Sequence, residues 1–81
     1  MQVSIEFLGN QRIITKTDSI DMPLTEKTTV HDALEYVRQQ YPDLPLGEGT
    51  IFIVVNKRIA SLDRVLNTND TVSFLPPVSG G

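Results

Sequence analysis

The stretch Thr29-Val30-His31-Asp32-Ala33-Leu34-Glu35-Tyr36-Val37-Arg38-Gln39-Gln40-Tyr41 decides the fold, because it is the one clear helix among segments that read as strands. Val30, Ala33, Leu34, Val37 and Tyr41 recur at helical spacing and make a single apolar stripe. Thr29 stands at the N-cap position, and Asp32 favours the positive end of the helix dipole. The pair resembles a capping box with Asp in place of the longer Glu or Gln. Pro42 stops the helix by disfavouring helical geometry at Tyr41.

Strands flank this helix on both sides. In Gln2–Leu8, Val3, Ile5 and Phe7 alternate with mostly polar residues, the period of a half-buried strand. Gly9-Asn10 suits a tight turn. Arg12 to Lys16, with Ile13, Ile14 and Thr15, then reads as the returning strand of a hairpin, continued irregularly from Thr17 to Met22 before Pro23. Beyond the helix, Leu44-Pro45-Leu46-Gly47-Glu48-Gly49 is a loop with its own apolar anchors. Ile51-Phe52-Ile53-Val54-Val55 is a strand by its β-branched content, Asn56-Lys57 a turn and Arg58-Ile59-Ala60 a short return. Asn67-Thr68-Asn69-Asp70 is a cluster of turn formers before a last strand, Thr71–Leu75, which Pro76-Pro77 ends.

One helix covers one face of a sheet, so the expected class is a two-layer α+β domain. The other sheet face lacks a cover. Because Ile51–Val55 is apolar on both parities, either Phe52 and Val54 or Ile51, Ile53 and Val55 point away from the helix, joined by Leu75. Such a face is a candidate docking surface for another protein.

Composition narrows the function. With 81 residues the chain is one domain, and so small a core supplies on the order of 3–5 kcal/mol of net stability. The absence of cysteine excludes a disulfide framework, a thiolate zinc site and a cysteine nucleophile. A net charge of −3 argues against nucleic acid, which calls for a basic stripe. The longest uninterrupted apolar run, Ile51–Val55, is far shorter than a membrane span, and the N-terminus has no signal-peptide pattern, so a cytoplasmic location is expected. His31 stands alone, the carboxylates are scattered and no glycine pattern cradles a phosphate, so neither a metal site nor a bound cofactor is expected. Residues 1–50 hold eight acids and four bases, whereas 51–81 hold two acids and three bases. Lys57 and Arg58 therefore lie in the more basic part, where they could steer a partner. These features point to a carrier or binding module rather than a self-sufficient enzyme.

The end of the chain carries the chemistry. Pro76 and Pro77 favour an extended exit, and the six residues Pro76-Pro77-Val78-Ser79-Gly80-Gly81 reach about 20 Å at roughly 3.3 Å each. Gly80 and Gly81 have no β-carbon, so they fit a channel that larger residues would block. The tip would be a carboxylate with no side chain crowding it.

Phe74-Leu75-Pro76-Pro77-Val78-Ser79-Gly80-Gly81 resembles the C-terminus of the small, sulfur-carrier subunits of molybdopterin synthase, a MoaD/ThiS-like ubiquitin-like family. The resemblance extends to Val55-Asn56, Asn69-Asp70 and Thr29-Val30 with Leu34, covering most of 29–81. The first third departs from the family pattern, having only Gly9-Asn10 where members carry a longer segment. The resemblance implies a β-grasp domain over 1–75, a mixed sheet of four to five strands on one main helix, with 76–81 as an extended tail. It further implies that Gly81 is adenylated by an ATP-dependent, ubiquitin-activating-like adenylyltransferase and converted to a thiocarboxylate by a sulfur donor. Gly80 would be the slender link, and Pro76, Pro77, Val78 and Ser79 the residues read by partners. A large synthase subunit would supply the catalytic groups that pass the sulfur to a pyranopterin precursor in molybdenum cofactor biosynthesis. ATP would be used by the activating partner, not held by this chain. The acceptor could instead belong to thiamine thiazole, tRNA thiolation or amino-acid synthesis, or the chain could be a ubiquitin-like protein modifier.

Overall fold

The computed structural model describes residues 1–46 and 51–75. Its elements in chain order are β1 (Gln2–Glu6), α1 (Gln11–Thr15), β2 (Ser19–Pro23), α2 (Val30–Gln40), β3 (Phe52–Val55), β4 (Arg58–Ile59) and β5 (Thr71–Leu75). The five strands form one mixed sheet in the order β2-β1-β5-β3-β4. β1 and β5 run parallel, and every other neighbouring pair is antiparallel. With α2 packed on one face, this is the ubiquitin-like β-grasp arrangement. β5, the last strand among the described residues, lies at its centre.

The capping box forms despite the short Asp. The Asp32 amide donates to Thr29 Oγ1, and the Thr29 amide donates to Asp32 Oδ2 at 2.9 Å. The next two orphan donors of the first turn are also met, since the Val30 and His31 amides reach the carbonyls of Arg64 and Leu62. Val30, Ala33, Leu34 and Val37 then join Val3, Ile5, Val55, Val72 and Phe74 in the core. The helix ends at Gln40, one residue before the Tyr41 that Pro42 restricts. Tyr41 still serves the core, meeting Phe7 edge-on with ring centroids 5.4 Å apart.

One feature of the sheet departs from the sequence expectation. Arg12–Thr15 is not a returning strand: it lies within helix α1, and the strand that pairs with β1 is Ser19–Pro23. The Arg12 Nε–H donates to the Phe7 carbonyl at 3.1 Å, and the Gln11 side chain makes two more bonds, so tertiary contacts override the β-propensity of Ile13 and Ile14. The true partner strand has the period of two that Ile13-Ile14-Thr15 lacks: Ile20 and Met22 pair with Ile5 and Val3 on the core face. The structure also chooses between the two parities left open for β3. Ile53 and Val55 are buried, whereas Phe52 is 56% exposed.

The Asn56-Lys57 turn is as expected. Both residues have positive φ, +51° and +72°, as a two-residue primed hairpin turn requires. Within the 44–49 loop, Leu44 and Leu46 are buried anchors, and 47–49 lie outside the described residues. Arg38 fixes this loop by donating from Nε and Nη2 to the Leu46 carbonyl at 3.0 and 2.6 Å, while Nη1 holds Glu35 at 2.8 Å.

Candidate functional site

The residues named for the tail, Pro76, Pro77, Val78, Ser79, Gly80 and Gly81, lie outside the described residues, which end at Leu75. The structure does describe the root from which they continue. β5 is held on both sides, by β1 from Thr71 to Ser73 and by β3 from Val72 to Leu75. The tail thus continues from a strand that β3 accompanies to Leu75 and β1 only to Ser73.

The sheet face away from α2, which no helix among the described residues covers, brings together most of the expected docking residues. Phe52 stands opposite Leu75, and Val54 stands opposite both Ser73 and Ile59, so Phe52, Val54, Leu75 and Ile59 share the face away from α2. Ile59 is 72% exposed and was not anticipated, although its alternation with Arg58 was available in the sequence. Lys57 borders the same face, lining a shallow hollow with Glu6, Val54, Asn56, Thr71 and Ser73. Arg58 does not join them: its register with Val55 puts it on the opposite face. The β2–β1 half of this face is polar, with Ser4, Glu6, Ser19 and Asp21 in register.

A second apolar surface meets the root from the α1 side. A groove of about 490 Å³ is lined by Leu8, Ile14, Leu44, Leu46 and Leu75, with Gln11 among its walls. Gln11 is buried. Its Oε1 accepts from the Leu8 amide at 2.9 Å, and its Nε2–H donates to the Phe74 carbonyl at 2.7 Å. No local pattern marks this residue, because its partner is 63 positions away.

The residues Asn56 and Asp70 also prove to be partners. Asn56 Nδ2–H donates to Asp70 Oδ1 at 2.7 Å, Asn56 Oδ1 accepts from the Thr71 amide, and Asp70 Oδ2 accepts from the Asn67 amide. They tie the β3–β4 turn to the start of β5. His31 lies 3.7 Å from Glu35 on the exposed side of α2, and among the described residues no group of three or more His, Cys, Asp or Glu could hold a metal ion. No helix among the described residues is long and apolar enough to cross a membrane.

Known proteins are similar to this chain in architecture and in sequence. The family model described as the ThiS family matches residues 5–81. The molybdopterin synthase sulfur carrier subunit of Escherichia coli (strain K12) is 31% identical over 83 aligned positions, covering 98% of this chain and 99% of that protein. The solution structure of small archaeal modifier protein 1 from Methanosarcina acetivorans gives a TM-score of 0.80 at 26% identity, over 99% of this chain and 96% of that one. A chain in the complex of subunits 1 and 2 of the molybdopterin-converting factor from Helicobacter pylori 26695 is 27% identical, with a TM-score of 0.66 and complete coverage of both chains, 100% each.

Proposed function

The chain belongs to the ThiS family, and from that premise we propose that it is a cytoplasmic sulfur carrier whose reacting group is the carboxylate of Gly81. The observation that carries the reading is that Pro76-Pro77-Val78-Ser79-Gly80-Gly81 continues directly from the central strand of a β-grasp sheet. In support, the relative matched nearly end to end bears the name of a molybdopterin synthase sulfur carrier subunit.

A carboxylate is a poor electrophile, so sulfur cannot replace its oxygen directly. A Gly81 oxygen attacks the α-phosphorus of ATP in the active site of an adenylyltransferase, and pyrophosphate leaves. The resulting acyl adenylate has AMP as a good leaving group. A persulfide sulfur then adds to the carbonyl carbon and expels AMP, giving an acyl disulfide that a thiol opens to the thiocarboxylate. Transfer to a pyranopterin precursor takes place in a large synthase subunit, which holds the catalytic groups. This chain contributes a thin stalk, an anionic sulfur and a docking face. Phe52, Val54 and Leu75, with Lys57 at the rim, supply that face. The ATP belongs to the activating enzyme's site.

Intact mass spectrometry after incubation with an adenylyltransferase, ATP and a sulfur source tests the reading. The expected product has one oxygen replaced by sulfur, and an unchanged mass would reject it. A second reading, conjugation through Gly81 to lysines of other proteins, is favoured by the likeness to an archaeal modifier protein. Protein conjugates that vanish on deleting Gly81 would establish that role.

A further inference from the structure

We infer that Gln11 is a positioning residue that aims the tail by clamping the Phe74 carbonyl at the point where β5 loses its neighbour on one side. The inference rests on the sulfur-carrier reading for its consequence, though not for its geometry. β1 accompanies β5 in register only from Ser4↔Thr71 to Glu6↔Ser73. It then leaves: Ser4 donates its amide to the Asp70 carbonyl just before β5, but the Leu8 amide, two steps of the same alternation further on, goes to Gln11 Oε1 instead of to β5, and Gly9, with φ +51°, leads the chain into α1. On the opposite edge β3 stays paired to Leu75. Without Gln11 the Phe74 carbonyl would have no ladder donor on the β1 side, and the last two residues before the tail would hinge about the β3 edge. Gln11 Nε2–H occupies the place of that missing donor at 2.7 Å. Its own position is fixed by the Leu8 amide on Oε1, so the clamp is braced by the same turn that removes β1. A buried amide using both of its ends on backbone groups has a defined direction, which a surface side chain would lack.

For a tip that must enter a partner's channel, a small angular error at the root displaces the reacting carboxylate by several ångströms, and misplacement lowers kcat more than it lowers docking. The test uses the full chain and three variants. Gln11→Leu removes both bonds. Gln11→Glu keeps the acceptor for Leu8 and withdraws the donor from Phe74. Arg12→Ala removes the α1 bond to the Phe7 carbonyl and leaves Phe74 untouched. Adenylation, followed by pyrophosphate release, should show kcat lowered about 3- to 10-fold for both Gln11 variants, with KM for the carrier changed by less than about twofold. NMR relaxation of the free proteins should show greater motion of the Leu75 amide in the same two variants. Arg12→Ala should lower thermal stability and retain the wild-type kcat and Leu75 order. Unchanged Leu75 order in both Gln11 variants would overturn the clamp, as would an equal loss of kcat in Arg12→Ala. If the wild-type chain is not adenylated at all, the sulfur-carrier reading fails, while the Leu75 measurement still decides whether Gln11 holds the root.

Discussion

Asn56 stands in the left-handed region at φ +51° while its side chain spans from the Asp70 carboxylate to the Thr71 amide. Asparagine is one of the few residues with a β-carbon that tolerate this backbone, and its amide is one of the few groups that can donate and accept here at once. Asn56→Ala loses both bonds and strains the turn, so it should cost about 1–3 kcal/mol. Asn56→Gly relieves the backbone but not the lost bonds, and should fall between Ala and wild type in urea unfolding midpoint. Equal midpoints for Ala and Gly would mean that the strain is negligible. For a domain held by on the order of 3–5 kcal/mol, that loss is a large fraction of the total, so the alanine variant's urea midpoint should fall well below the wild type's. The sequence marks Asn56 and Asp70 as turn residues, but nothing in it says that they bond to each other across 14 positions.

Elements were legible where local and tertiary forces agree. α2 has a cap, a dipole partner, a stripe and a proline stop that all point the same way, and it lies where they place it. The turn of β3 into β4 and the strand β5 follow equally from local chemistry. α1 was not legible, because Ile13-Ile14-Thr15 is β-branched and the bonds that wind it into a helix come from Gln11 and Arg12 to distant or preceding backbone. The candidate site divides in the same way. The sequence offered two parities for Ile51–Val55, and the pairing of β3 with β5 selects Phe52 and Val54 beside Leu75, whereas the opposite placement of Arg58 follows from the two-residue turn and the pairing it sets. The helical reading of α1 has a direct consequence: Ile13 is 73% exposed. Ile13→Lys should therefore change stability by less than about 0.5 kcal/mol, as exposed substitutions do. A loss of about 2 kcal/mol or more on denaturant unfolding would instead indicate a buried strand residue.

At the scale of the whole molecule, the layout separates holding from reacting. The apolar mass of the chain goes into one small core beneath α2, and the strand nearest the centre of the sheet is the one that continues into the tail. Under the proposed function, sulfur handling would need no thiol in this chain, which has no cysteine. The reactive group would be the one carboxyl that no side chain supplies, at Gly81. Given an intact body, its position should decide whether sulfur is loaded. Adding a single alanine after Gly81 leaves the core, the α2 cap and the Gln11 bond to Phe74 unchanged, so the melting temperature should match that of the wild type. It also moves the carboxylate by about 3.3 Å and puts a β-carbon where only glycines stood, which a narrow channel would reject. The extended chain should still compete with the wild type for its adenylyltransferase, because the sheet face is intact, yet it should yield no thiocarboxylate by mass spectrometry. Full sulfur loading of the extended chain, with the alanine still attached, would show that the partner reads neither the length of the tail nor the identity of its last residue, and the sulfur-carrier proposal in its present form would have to be abandoned.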